Sequence, residues 1–483
     1  MEKVMAENYK MAKAGKTGIS RRSVLLGGAS LLAAASILPS RAFAAGPGTN
    51  PGKYKIDLGG YTGPELTDAP ITIKVMRQEF SPEINAPIEA AYTAFKEAYP
   101  NITIEEERVP YGDLAKKVQL YVASGSAPDI MMGSTELASV YAAGEIAVPL
   151  NDYFSADFIQ DIYPAMRDAA TIDGKVMCLA WESNSCFVYF NRDIFKRAGV
   201  ETPPEVTDVD GGWTADQLLD AMRAITEKLR KEGDQTTFGM ASSRFGNRGP
   251  GSNYSQLEGM WVRMMGDPNA PKDSTLFKTF AGISEDGLTA SGYLDTPEAI
   301  QGMKNYQAMF NEGLTPKGVV VDHYKSGAAA IDFSSMAFAN TFRKSGAPFE
   351  WGVSPPIRGN IPFASSVADA PFIYSGSQYI PEAAALLAFL LNDTNRRAFY
   401  DVRGSMPSRK SLTDESPAYK TDPVAILCAN VGERAFGSPK SVGWLDYVNA
   451  VNPAVKDIAL GVDVEERLHS TAAQIDRLLA KYR

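Results

Sequence analysis

Ile71-Thr72-Ile73-Lys74-Val75-Met76, Ile102 to Val109, and Ile130-Met131-Met132 are three short runs rich in β-branched or apolar residues. Two amphipathic stretches separate them. In the first, Ile88, Tyr92, Phe95 and Tyr99 recur at spacings of three and four, so they share one helical face, and Pro100-Asn101 ends it. In the second, Leu114, Val118 and Val122 mark a helix closed by Ser124-Gly125, and Pro128-Asp129 opens the next strand. This β-α-β-α-β rhythm predicts a parallel sheet with helical crossovers. In such open sheets ligands sit off the carboxyl ends of the strands. That rule singles out Glu79 after the first strand, and Ser134, Thr135 and Glu136 after the third. For the two acids the ordinary alternative is a solvated side chain or a helix cap.

The rest of the chain is more helical. Thr214-Ala215-Asp216-Gln217 is a capping-box pattern ahead of Leu218, Met222, Ile225 and Leu229. Thr296-Pro297-Glu298 starts another helix, whose apolar face (Ile300, Met303, Gln307, Phe310) has one imperfect position. Further helices are expected near 382–391 and along Val464, Leu468, Ala472, Ile475 and Leu479.

The N-terminus reads as an export signal. Four lysines precede Ser20-Arg21-Arg22, an apolar stretch runs from Val24 to Leu38, and Ala42-Phe43-Ala44 offers a small-residue cleavage site. The paired arginines resemble a twin-arginine signal, with Val24 where that pattern prefers Phe. The apolar stretch is shorter than the ~20 residues of a spanning helix. No Cys lies near the cleavage site, so the mature protein is expected to be soluble in the periplasm and not lipid-anchored. Cleavage after Ala44 leaves 439 residues, enough for two domains. The full chain has a net charge of −9; removing residues 1–44, with seven Lys/Arg and two Asp/Glu, makes it −14. Such a surface argues against nucleic acid as a partner. Residues 45–69, rich in Gly, Pro and Thr, read as an extended arm.

Three cysteines (Cys178, Cys186, Cys428) make no disulfide scaffold, and read as buried thiols or as a Cys178–Cys186 pair. Two histidines, His323 and His469, have no partner at metal-ligand spacing, so neither a zinc site nor a cofactor is implied. Catalytic alternatives are poorly served. No dinucleotide or phosphate loop follows the first strand. The run Glu105-Glu106-Glu107 would split onto opposite faces of a strand, unlike the paired carboxylates of a glycosidase.

Several segments, in order, resemble the extracellular solute-binding proteins of the family that includes maltose-binding protein. They are Tyr111-Gly112-Asp113-Leu114-Ala115-Lys116-Lys117-Val118, Ala123-Ser124-Gly125-Ser126-Ala127-Pro128-Asp129-Ile130 and Gly144-Glu145-Ile146-Ala147-Val148-Pro149-Leu150. Then come Asp173-Gly174-Lys175-Val176-Met177, Val188-Tyr189-Phe190-Asn191-Arg192-Asp193-Ile194-Phe195 and Ala198-Gly199-Val200. Thr202-Pro203-Pro204 with Trp213, Gly327-Ala328-Ala329-Ala330-Ile331 and Phe349-Glu350-Trp351-Gly352-Val353 follow. The likeness spans about residues 71 to 480.

The resemblance implies an α/β, two-lobed periplasmic-binding-protein fold of the class II kind, with a hinge crossed more than once. Crossings are expected near 181–185, 332–335 and 392–396. Lobe one would be 68–182 plus 332–392, and lobe two 186–330 plus 396–483. It further implies a monomer that captures a small solute, a sugar or oligosaccharide, and delivers it to the membrane permease of an ABC importer. A polyol or sugar phosphate is the alternative cargo. Carried across by position, the ligand contacts are Glu79, Ser134, Glu136, Trp181, Asn184 at the hinge, and Trp261 with Trp444 or Tyr447 as stacking rings. Asp332 and Ser334 at the presumed second crossing and Arg403 near Met406-Pro407 complete the set. Trp213 and Trp351 read as structural. Gly133 stands where maltose-binding protein stacks a Trp, which argues against maltodextrin.

Export is expected to need both arginines. Replacing Arg21 and Arg22 together by Lys should leave precursor in the cytoplasm on fractionation; normal export would assign the general secretory route instead.

Overall fold

A computed structural model describes residues 54–241, 251 and 254–483, so the expected signal at 1–44 and the start of the arm lie outside the described residues. The strands in chain order are β1 (Ile71–Gln78), β2 (Ile102–Val109), β3 (Ile130–Ser134), β4 (Thr171–Ile172), β5 (Lys175–Val176), β6 (Phe187–Asn191), β7 (Phe238–Met240), β8 (Ala329–Ser334), β9 (Trp351–Ser354) and β10 (Asp369–Ile373).

The first sheet has the order β10-β3-β1-β2. β1 pairs in parallel with β2 (Ile71 opposite Ile102) and with β3 (Val75 opposite Ile130). The helix Pro82–Ala98 buries Ile88, Ala91 and Phe95 against it. The helix Leu114–Ser124 ends at Gly125, whose φ of 68° is the left-handed value a glycine cap supplies. β10 joins antiparallel, with Asp369 opposite Ser134. Its Pro371 is tolerated because β10 is an edge strand and needs donors on one side only.

The second sheet has the order β7-β8-β6-β9. β6 runs antiparallel to β8 (Phe187 opposite Ser334) and to β9, and β7 is parallel to β8. The capping box forms: Thr214 Oγ1 accepts from the Gln217 N–H at 3.2 Å, and Gln217 Oε1 accepts from the Thr214 N–H at 2.9 Å. On the helix Pro297–Asn311, the imperfect Gln307 spans two turns of chain, donating to the carbonyls of Ile458 and Val462 at 2.8 and 2.7 Å.

The first crossing between the sheets runs through 181–186, between β5 and β6, near its expected place. The other two fall elsewhere. β8 and β9 both belong to the second sheet, so the chain returns to the first through 355–368, not 332–335. Asp332-Phe333-Ser334-Ser335 ends a strand and leads into a helix, Met336–Ser345, of the same lobe. Near 392–396 there is no crossing either. Asn392 is the N-cap of the helix Asp393–Arg403, its side chain accepting from the Asn395 N–H at 2.9 Å. That helix stays on the first lobe, where Phe399 meets Phe80. The third passage is 404–409, where Met406 bridges to Ser183. The helix Pro423–Arg434 then packs against both Pro164–Ala170 and Met336–Ser345, and Trp444–Ala459 and Val464–Leu479 pack on the second lobe.

The described part of the arm is docked on the first lobe. Thr62 N–H donates to the Tyr153 carbonyl at 2.8 Å, Asn392 Nδ2 donates to the Asp57 carbonyl at 3.0 Å, and Tyr61 is fully buried.

Trp261 lies in the core of the second lobe, its ring 5.9 Å from Phe363 and 6.4 Å from both Tyr306 and Phe333. Trp261→Ala is therefore expected to cost about 3–5 kcal/mol, read as a lower melting temperature of the ligand-free protein; an unchanged melting temperature would take this ring out of the core.

Candidate functional site

The carboxyl ends of β1, β2 and β3 face the same way because the three strands are parallel. They deliver Glu79-Phe80, Pro110-Tyr111 and Ser134-Thr135-Glu136 to one edge. β10 runs the other way, so its first residue, Asp369, lands at that edge beside Ser134. Ser134 Oγ accepts from the Glu136 N–H at 3.4 Å, and the buried Thr135 is locked to Ala368 through its N–H and its hydroxyl.

The first crossing runs along this edge. Trp181 N–H donates to the Asp369 carbonyl at 2.7 Å. Glu182 is wholly buried and accepts from Arg403 Nη2 at 3.2 Å. Asn184 lies near the Asp369 carboxyl and acts to lower it. Arg403 lies 5.5 Å from the Phe80 ring.

The second lobe closes the other side. Gln256 Nε2 stands 3.5 Å from the Tyr111 hydroxyl, and Ser438 Oγ stands 3.5 Å from Glu136 Oε2 and 3.4 Å from the Ser255 carbonyl. Tyr111 is 48% exposed. A groove of about 900 Å³ is lined by none of the residues just described. It is lined by Ser139, three residues past Glu136, and by Lys440, two past Ser438, whose ammonium donates to the Thr171 carbonyl at 2.9 Å.

Burial dominates the electrostatics. It pushes the Glu136 carboxyl up to about 7, against weak opposing hydrogen bonds from Ser255 and Ser438. It pushes Asp369 to about 7 as well, with the Glu182 charge adding and Arg403 opposing. The nearby Asp369 raises the Tyr111 phenol. Glu182 raises Arg403 in turn.

Of the residues expected to meet ligand, Ser134, Glu136, Asn184 and Arg403 come together here. Trp181 lies directly beneath, buried, with the Arg396 guanidinium 3.7 Å over its ring. Glu79 is exposed at the end of β1. The remaining expectations need correcting in place. Trp444 and Tyr447 are buried and stacked on each other at 5.1 Å, with the Tyr447 hydroxyl donating to the Gly282 carbonyl. Trp261 is a core residue. Asp332 and Ser334 are buried in β8, and Asp332 shares with Trp261 a cavity of only about 50 Å³. Sequence reasoning missed Tyr111, Glu182, Gln256, Asp369 and Ser438. The strand-end rule reaches Tyr111; nothing local marks the others. The three cysteines are buried and free.

A two-lobed α/β chain with a polar cleft crossed by its own hinge is a binding protein of the periplasmic type. The family described as bacterial extracellular solute-binding protein matches residues 79–397, and the chain belongs to it. A putative binding protein of Brucella abortus (strain 2308) is 23% identical over 426 residues, covering 85% of this chain and 93% of that one. The maltotriose-binding protein of Pyrococcus abyssi is 21% identical over 374 residues, covering 74% and 72%. Among solved structures, the cyclic alpha-maltosyl-1,6-maltose binding protein of Arthrobacter globiformis aligns with a TM-score of 0.66 at 18% identity, covering 85% of this chain and 99% of its own. Maltose-bound MalE3 of T. maritima aligns at 0.67 and 18%, covering 84% and 99%.

The raised carboxyls fix a sign. In the folded state Glu136 and Asp369 hold protons that the unfolded chain has released between about pH 4 and 7, so they make stability fall as pH rises through that window. Glu136→Gln and Asp369→Asn are each expected to raise the melting temperature at pH 8, by roughly 2–4 °C per kcal/mol relieved, and to change it little at pH 5. A lower melting temperature at pH 8 in both would contradict the burial.

Proposed function

We propose that the chain is the substrate-binding component of an ABC importer and takes a carbohydrate in the cleft between its lobes. The observation that carries this is the set of hydrogen-bonding groups meeting across the cleft: Tyr111, Glu136, Asn184 and Asp369 from the first lobe and its crossing, Gln256 and Ser438 from the second. A sugar hydroxyl both donates and accepts, and this mixture of carboxyl, amide and hydroxyl groups matches that need. Tyr111, half exposed, supplies an apolar platform for a C–H face. The sugars named for the relatives above support the same class of cargo.

Charge argues against a phosphorylated cargo. Among the described residues, Arg403 is already engaged by Glu182 and two further carboxyls share the cleft, so these groups offer a phosphate more repulsion than attraction. The chain acts by binding alone, as a monomer, and hands its solute to a membrane permease. Residues 1–44 direct it to the periplasm by the twin-arginine route, without a lipid anchor.

Because the groups come from both lobes, a solute that engages them all favours the closed state. A thermal-shift screen of the mature protein against mono- and oligosaccharides, polyols and sugar phosphates is expected to pick out a carbohydrate. That carbohydrate should then reduce the radius of gyration in small-angle scattering. Stabilisation only by non-carbohydrates would overturn the cargo, and an unchanged radius at saturation would overturn the closure.

A further inference from the structure

A second cavity, of about 240 Å³, opens beside the passage 404–409, and Tyr111, Glu136, Glu182, Asp369 and Arg403 take no part in its walls. The helix Asp393–Arg403 serves both places. Phe399 and Arg403 turn toward Phe80 and Glu182, while Arg397 and Asp401 line the cavity. The helix Met336–Ser345 of the second lobe supplies Asn340, Arg343 and Lys344, three positions of one face. Two hydrogen bonds fix the walls to each other: Asn340 Nδ2 donates to the Gly404 carbonyl at 2.5 Å, and Lys344 Nζ to the Val402 carbonyl at 2.9 Å. Gly404 has a φ of 71°, and a Cβ there would stand 2.6 Å from that of Asn340, so only glycine allows this approach. The cavity is therefore built by both lobes and held in shape.

Its floor is apolar, with two under-used hydroxyls. Met336, Pro407 and Leu412 are buried. Ser405 is 5% exposed, and its hydroxyl has no hydrogen-bond partner among the described residues. The Tyr419 hydroxyl donates to the Met336 thioether at 3.4 Å, and a thioether is a weak acceptor. At the mouth the cations are engaged: Arg343 by Asp422 at 2.7 Å, Arg397 by Glu415, and Lys344 by the helix carbonyl. Asp401 is exposed to water.

We propose that this cavity is a second binding site, for a single uncharged sugar ring. A buried hydroxyl without a partner is costly, and a sugar hydroxyl, which both donates and accepts, answers Ser405 and Tyr419. The C–H face of the ring lies on Met336, Pro407 and Leu412. With the cations at the mouth already paired, a neutral molecule matches the walls better than an anion. The volume lies below the ~300–1,000 Å³ of pockets for drug-sized ligands, which suits one ring. An occupant touches both lobes without entering the cleft, and the site stands whatever the cleft itself takes.

The test is saturation-transfer NMR on the mature protein in a Gln256→Trp background, which obstructs the cleft. The probes are D-glucose, D-galactose and D-mannose, with D-gluconate and D-glucosamine as charged counterparts. The expected result is saturation transfer to at least one of the three hexoses. Adding Ser416→Trp, at the half-buried edge of the cavity, should remove that signal in a protein that still melts cooperatively. Adding Ser405→Ala instead should weaken binding about threefold to tenfold, the loss of one hydrogen bond. No transfer to any hexose in this background overturns the site, as does a signal that persists with Ser416→Trp or an affinity unchanged by Ser405→Ala. Tighter binding of a charged counterpart overturns the uncharged class. Each of these outcomes leaves the reading of the cleft untouched.

Discussion

The backbone of Trp181 is the point on which the two lobes and the cleft depend. Its N–H donates to the Asp369 carbonyl at 2.7 Å, and its carbonyl accepts from the Tyr400 hydroxyl at 2.6 Å. The same hydroxyl accepts from the Ser408 N–H, and two residues on, Ser183 N–H donates to the Met406 carbonyl at 3.1 Å. One short segment thus ties the start of β10, the helix Asp393–Arg403 and the passage 404–409 into a single hinge. The Trp181 ring is held from above by Arg396, whose burial lowers it to about 10, still charged at neutral pH. Glu182 follows directly, so the register of the crossing also decides which carboxylate meets Arg403. A slip of one residue would turn Glu182 away and bring Ser183 to the guanidinium.

Fixing the crossing there brings acidic groups together where protein covers much of their surface. Burying a carboxylate is costly unless it is paired and hydrogen-bonded, and the usual response is to hold a proton. Glu136 and Asp369 respond in that way, while Glu182 is paired with Arg403 at 3.2 Å. A solute that bridges the lobes stabilises the arrangement in which Gln256 and Ser438 approach Tyr111 and Glu136. Recognition and closure draw on the same groups, which is how a membrane partner can tell loaded from empty protein.

The first sheet was legible from sequence because its strands are contiguous apolar runs and its helices keep strict spacing: Ile73, Val75 and Met76 are buried, as are Ile88 and Phe95. Strand-end logic reached Ser134 and Glu136 for the same reason. Asp369 was out of reach because β10 enters antiparallel from a segment more than two hundred residues downstream of β3, a pairing no local pattern encodes. Glu182 looked like an ordinary acid beside a Trp until the crossing buried it. The tryptophans misled in the opposite direction. A Trp suits a sugar platform and a hydrophobic core equally well by residue type; only the packing of Trp261 against Phe363 and of Trp444 on Tyr447 separates the two. Asn392 misled as a break, because an N-cap that starts the next helix of the same lobe has the same composition as a linker.

The central claim is that closing lobes bury Glu136 and Asp369 at a common cleft edge. Carbon-13 NMR titration of the side-chain carboxyls in the mature protein, with Glu136→Gln and Asp369→Asn used to assign the signals, tests it most directly. The account predicts two carboxyl resonances titrating near pH 7, one lost in each variant. Two resonances titrating in the ordinary carboxylate range of about 4 would contradict it.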